Sequence, residues 1–231
     1  MILPLHDDNP TTTRPYVTVG IIVACTLVYV LTLVGAQRAT YLLGVIPAVL
    51  TGRMSFEEGT VHLPATVTVL TSMFMHGGFW HLAGNMLFLW IFGNNIEDAM
   101  GHVRFIIFYL LCGVAAAYAH VLPNAGSAAP MFGASGAISG VLGAYLLLYP
   151  RARVLLGVPI GFLIVSIGRC PAVWVLAAWF VMQLVFGGMS LLRPAGSEGG
   201  IAFGAHIGGF VAGLLLVTIF KRRAVPLWRP Y

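Results

Sequence analysis

The run Ile201-Ala-Phe-Gly-Ala-His206-Ile-Gly-Gly209-Phe-Val-Ala-Gly213-Leu-Leu-Leu-Val-Thr-Ile-Phe220 decides the fold. It is 20 residues long, holds no Asp, Glu, Lys or Arg, and ends at the basic cluster Lys221-Arg222-Arg223. About 20 apolar residues in a helix cross the ~30 Å of a bilayer core. A histidine inside such a run is expensive and counts as a functional candidate. Ala205, Gly209 and Gly213 recur every fourth position, the small-xxx-small pattern that lets membrane helices approach closely.

The rest of the chain agrees with a membrane setting. Of its 231 residues 59% are hydrophobic and 8% charged, against roughly 25% charged residues in soluble domains. Mean hydropathy is +0.93. A soluble globule and a disordered chain are both excluded by these values. The net charge of +5 sits at the ends of apolar runs, so it is no nucleic-acid footprint. Cys25, Cys112 and Cys170 form no paired motif and read as small apolar fillers.

Six apolar runs are expected to cross: 16–34, 80–95, 105–122, a short one at 135–149 stopped by Pro150, 172–192 and 201–220. The first is expected to be an uncleaved span rather than a signal peptide. The expected architecture is an all-α, polytopic six-helix bundle. Residues 1–15 would be a cytoplasmic N-terminal tail, 16–220 the membrane domain and 221–231 a basic cytoplasmic C-terminal tail. The stretch 154–167, with Pro159 and two glycines, is expected to be interfacial or re-entrant. The long first loop is expected to dip into the outer leaflet around 63–75. With the N-terminus inside, Arg14, Arg104, Arg151, Arg153, Arg169, Lys221, Arg222, Arg223 and Arg229 face the cytoplasm, and Arg38, Arg53 and Arg193 face outward. That asymmetry follows the positive-inside rule and suits a plasma (inner) membrane protein with both termini cytoplasmic.

Polar residues collect at one depth in this topology. Ser135 and His206 each lie 14 residues before the inner end of their run, about 21 Å by helix rise. His81 and Asn85, 16 and 12 residues before Glu97, come out at about 24 and 18 Å. His81 and Asn85 are i and i+4 and share a helix face; His76 stands near the entry to that helix. Ser135 follows Gly133, which permits tight backbone dihedrals, and opens a helix whose free N–H groups and dipole favour an oxyanion.

Each feature alone has a plainer reading. The glycines serve helix packing, Ser135 an N-cap, His206 an interhelical hydrogen bond, and His81 with Asn85 a polar clasp. Together they describe a site. A serine nucleophile needs a base, most often histidine. No acidic residue falls at the right depth, so the expected arrangement is a Ser135–His206 dyad without a carboxylate. His81, Asn85 and the Ser135 N–H would donate to the oxyanion.

His76-Gly-Gly-Phe-Trp-His81-Leu-Ala-Gly-Asn85, Gly133-Ala-Ser135-Gly136 and Ala205-His206-Ile-Gly-Gly209-Phe-Val-Ala-Gly213 together resemble the rhomboid intramembrane serine proteases. The segment from Gly93 to Asp98, with Gly101 and Arg104, is similar as well. The resemblance covers about residues 71–220 and implies a six-helix protease core. Ser135 would be the nucleophile, His206 its base, and His81, Asn85, His76 and Gly133 would form or border the oxyanion and substrate site. It implies transmembrane proteins as substrates, cut near their outer end at small residues, and no metal or other cofactor. A water-filled cavity would open to the outer face, with the fifth span and its loop gating entry. Where some members carry an aromatic residue one turn after the serine, this chain has Ser139, and the Trp-Arg pair of the first loop is absent.

Two rivals have distinguishable features. An inactive relative would typically lack the serine or the histidine, and both are present. A transporter would be expected to carry mid-span acidic residues or an inverted repeat, and neither is evident. The HExxH pattern of a metalloprotease is absent from the sequence.

Overall fold

The computed structural model describes residues 2–56, 60–161, 163–190 and 202–228. The chain runs from a short strand, β1 (Leu3–Asp7), into α1 (Tyr16–Thr32). The first loop carries three short helices, α2 (Ala36–Leu43), α3 (Pro47–Leu50) and α4 (Ala65–Thr71), followed by a 3₁₀ turn (Ser72–Phe74). Then come α5 (Phe79–Phe88), a π-helical turn (Leu89–Gly93) and α6 (Asn94–Met100). Helical dihedrals at Phe88, Leu89, Gly93 and Asn94 join these three into one continuous run. After it come α7 (His102–Val121), α8 (Ser135–Leu148), β2 (Arg153–Ile160), β3 (Leu163–Pro171), α9 (Ala172–Ser190) and α10 (Phe203–Phe220).

By length and composition α7, residues Ala172–Met189 of α9, and α10 are each able to cross a membrane; α1 and α8 are apolar but shorter. The helices otherwise fall on the expected runs. The end of the fifth run and the start of the sixth, with Arg193 and Glu198, lie outside the described residues, as does Arg229.

The bundle is mostly helical rather than all-helical. Residues 154–167, expected to be interfacial or re-entrant, form most of a β-hairpin. Ile160 pairs with Leu163 across a two-residue connection, and Arg153 pairs with Pro171 at the base. Gly161 takes φ +60°, which suits a tight hairpin turn. The β-branched content of Val154, Val158, Ile160, Ile164, Val165 and Ile167 favours strand. β1 adds to β2 in antiparallel fashion, Leu3 opposite Gly157 and Asp7 opposite Val154, giving the sheet order β1-β2-β3. Residues at the N-terminus, expected as a tail, thus take part in the fold.

Side chains of α6 hold this end of the molecule together. Glu97 accepts hydrogen bonds from the Val17 and Thr18 N–H groups, at 2.9 and 2.8 Å, and from the Thr18 hydroxyl. A carboxylate thereby caps the exposed N–H groups and positive dipole end of α1. Asp98 accepts from the Thr12 and Thr13 hydroxyls, and the Arg222 guanidinium donates to its carbonyl oxygen. Asn95 donates to Asp7 and accepts from Asn9. The Tyr145 hydroxyl donates to Asp7 as well, tying β1 to the far end of α8.

α8 is the axis of the bundle, buried on all sides from Gly136 to Tyr145, as its all-round apolar surface requires. Its closest partner is α10. A Cβ at Gly209 would lie 2.0 Å from the Gly136 carbonyl oxygen, and one at Gly213 would lie 1.9 Å from that of Gly140. Gly136 meets Gly209 and Gly140 meets Gly213, so the helices run parallel, nearly backbone to backbone. The dispersion contacts that hold membrane helices together need this proximity. Parallel packing also carries the N-terminal ends of both helices to the side away from the sheet and the α6 network.

Candidate active site

Ser135 is the first residue of α8. Ala134 occupies the cap position, with no side-chain capping bond, so the serine hydroxyl is left for another partner. That partner is His206, one turn into α10: Ser135 Oγ and His206 Nε2 are 2.8 Å apart. The glycine contacts between the two helices set this distance. The Ser139 hydroxyl, one turn along α8, donates to the Ser135 carbonyl oxygen at 2.6 Å.

His206 is held from its other side by α9. Its Nδ1 lies 2.8 Å from Gln183 Oε1. The Trp179 ring lies 5.9 Å from the imidazole with the planes tilted by 38°, and the Phe203 ring stands edge-on at 6.4 Å. The serine is not the helix cap, and the histidine makes two interhelical contacts, one of them to the serine.

Gly133 has φ +128°, a backbone conformation that L side chains rarely adopt. Its N–H donates to the Ser72 carbonyl oxygen at 2.9 Å, anchoring the turn that delivers Ser135. A Cβ at Gly133 would sit 2.9 Å from His81 Nε2 and 3.7 Å from Ser135 Oγ. The glycine therefore borders a narrow space between the His81 ring and the serine hydroxyl. At the start of α8 the first N–H groups have no intrahelical acceptor.

The remaining expected residues cluster on α5 and the turn before it. His81 is exposed, while Asn85 and His76 are buried. Asn85 Nδ2 donates to the His81 carbonyl oxygen at 3.0 Å, and the His76 ring packs edge-on against that of His81 at 5.1 Å. Both His76 ring nitrogens lack a hydrogen-bond partner among the described residues.

Gln183 and Trp179 were not foreseen. A signal existed: Gln183 is the one amide side chain in the run 172–192, and an isolated polar residue in an apolar span usually has a partner.

A polytopic, mostly helical membrane protein in which a serine and a histidine from two packed helices share a hydrogen bond is the class that fold and site define. The chain matches the family model of the Rhomboid domain over residues 64–223, more than two thirds of its length. It belongs to the rhomboid family. Rhomboid protein 1, mitochondrial, of Saccharomyces cerevisiae is 34% identical over 99 residues, 41% of this chain and 29% of that protein. Rhomboid protease GluP of Bacillus subtilis is 34% identical over 149 residues, 64% of this chain and 25% of that protein. RHOMBOID-like protein 5 of Arabidopsis thaliana is 27% identical over 155 residues, 67% of this chain and 44% of that protein. The chain thus spans less than half the length of these relatives.

Proposed function

We propose that this chain is an intramembrane serine endopeptidase that hydrolyses peptide bonds in or near transmembrane segments of membrane-protein substrates. The observation that carries the reading is the 2.8 Å contact between Ser135 Oγ and His206 Nε2. Family membership and the likeness to a relative named as a rhomboid protease support it.

In this reading His206 Nε2 takes the Ser135 hydroxyl proton as the oxygen attacks the scissile carbonyl carbon. The carbonyl oxygen becomes an oxyanion over the start of α8. There the Ser135 N–H, His81 and the second amide hydrogen of Asn85 stabilise it, with Gly133 leaving the room and His76 backing the His81 ring. The imidazolium then gives its proton to the leaving amine, and an acyl-serine remains. Water, deprotonated by the same nitrogen, releases the second product and restores the hydroxyl. No cofactor or metal enters these steps.

We also read α1, the run 79–100, α7, α8, α9 and α10 as six crossings in a plasma (inner) membrane, with both termini cytoplasmic. The basic residues support this orientation. Arg14, Arg104, Arg151, Arg153, Arg169 and Lys221–Arg223 belong to the end of the fold that carries the sheet and the α6 network, away from Ser135. Reporter fusions at either terminus test the orientation.

The decisive experiment places purified protein in liposomes with a single-span substrate carrying small residues near its outer end. Wild type should cleave it and Ser135→Ala should not. Equal cleavage by both would remove Ser135 from the mechanism.

A further inference from the structure

We propose that Gln183 is the positioning residue of this site: its side-chain carbonyl holds the His206 Nδ1–H and so selects the tautomer and ring orientation in which Nε2 faces Ser135. The inference rests on the dyad reading above and extends it to a third helix.

The geometry is specific. Gln183 Oε1 lies 2.8 Å from Nδ1, on the far side of the imidazole from Ser135. Gln183 is 5% exposed, so its amide cannot be satisfied by bulk water. Its Nε2 donates to the Trp179 carbonyl oxygen one turn earlier on α9, at 3.4 Å. That bond favours the orientation in which the amide oxygen meets the histidine. Rotating the amide would turn the oxygen toward another carbonyl oxygen and present N–H groups to His206. With the acceptor facing Nδ1, the proton of the neutral ring belongs on Nδ1, and the Nε2 lone pair is free for the serine proton.

Trp179 completes the seat. Its ring covers the imidazole and also packs against Phe210 at 6.0 Å, while Phe180 stacks on Phe210 at 4.3 Å. Two contacts from one face of α9, one polar and one aromatic, therefore limit rotation of the His206 ring. The role is the one a carboxylate fills in a Ser-His-Asp triad, where it orients the base and stabilises the imidazolium. An amide does the first without burying an anion in an apolar bundle, which would carry a large desolvation penalty. It does less of the second, because it brings a dipole rather than a charge.

During the reaction the proton balance is simple. The Ser135 hydroxyl proton moves to Nε2 and later to the leaving amine, while the Nδ1 proton stays hydrogen-bonded to Gln183 throughout. Gln183 neither gains nor loses a proton.

Three variants test this in the full-length reconstituted protein: Gln183→Leu, which removes the acceptor, Gln183→Glu, which keeps an acceptor and adds charge, and Ser135→Ala. Gln183→Leu should lower kcat by roughly 10- to 1000-fold, less than the ~10⁴-fold loss that follows when a triad's orienting carboxylate is altered, since a neutral amide contributes a dipole rather than a charge, with KM within about twofold of wild type. Labelling of Ser135 by a fluorophosphonate should slow in parallel. In protein with ¹⁵N-labelled histidine, the hydrogen-bonded Nδ1–H signal of His206 should be lost.

Gln183→Glu should retain more activity than Gln183→Leu. The acidic limb of its kcat profile should move to higher pH, since an adjacent carboxylate favours imidazolium. A merely structural role would give similar losses in both variants, with the wild-type Nδ1–H signal and pH profile preserved, and would overturn the assignment. Wild-type kcat in Gln183→Leu alongside an inactive Ser135→Ala would overturn it too. Cleavage by Ser135→Ala would instead refute the dyad reading itself, while the Nδ1–H signal would still report whether Gln183 holds the ring.

Discussion

Ser135 and His206 are separated by 71 positions and belong to different helices, yet their side chains share a 2.8 Å hydrogen bond. The contact exists because α8 and α10 run parallel and touch through the pairs Gly136–Gly209 and Gly140–Gly213, which follow it along the two helices. Chemistry and packing are therefore coupled, and each can be tested apart from the other.

Replacing His206 with alanine should abolish proteolysis. With no base the serine hydroxyl is a weak nucleophile, and the loss should be at least about 1000-fold. Expression and membrane insertion should persist, because α10 keeps its apolar surface. Cleavage of a reconstituted substrate is the measurement, and an unimpaired variant would rule out the general-base role.

Alanine at Gly133 should impair activity more than folding. The new Cβ meets His81 Nε2 at 2.9 Å on a backbone with φ +128°. Strain of about 1–3 kcal/mol is expected for an L-residue in so sparsely populated a region, and it can be relieved by moving the turn that holds Ser135 or by displacing His81. A tenfold or greater fall in kcat, with thermal unfolding lowered by only a few degrees, is the expected result. Turnover and melting measured on one preparation separate the two effects.

Substitution of Gly213 by valine should act the other way, through packing. Its Cβ would start 1.9 Å from the Gly140 carbonyl oxygen, an overlap only helix separation can relieve. Overpacking typically costs about 1–3 kcal/mol. The shift should carry His206 away from Ser135, so fluorophosphonate labelling of Ser135 should fall together with thermal stability. Wild-type labelling and melting would show that α10 can adjust without moving the histidine.

At the opposite end, Asp7 supplies a pH-dependent test. Burial raises its carboxyl above the usual 3.8, although hydrogen bonding from Tyr145 and the charge of His6 pull it back. A carboxyl raised in the folded state binds its proton before the unfolded chain does. Its contribution to stability therefore grows as pH falls from neutral through the folded value, and is complete below about 3.8. The melting temperature of wild type relative to Asp7→Asn should thus rise as pH is lowered from 7 toward 4. A constant or falling difference would mean that Asp7 is not held in the buried network with Asn95 and Tyr145.

Much of this was legible in the sequence because it is local or periodic. Apolar runs of bilayer length, charges at their ends and glycines every fourth residue mark helices and the faces that meet. Those faces in turn bring Ser135 and His206 together. The 154–167 stretch shows the limit of such reading. Its length and apolarity suit a membrane-surface segment, but strand order depends on pairing with a partner. Leu3–Asp7 supplies one edge of that pairing from about 150 residues away, and no local pattern announces it.

The sequence by itself determined the membrane character, the helical runs and the residue types able to perform serine chemistry, since these follow from hydropathy and spacing along one chain. Only the tertiary structure decided which side of His206 is held, and by what. Gln183 reaches Nδ1 because α9 turns one face toward α10, and that rotation is set by aromatic packing of Trp179 and Phe180 on Phe210. Helix rotation is a collective result of side-chain contacts among several elements, so it emerges when the bundle assembles rather than from any single run.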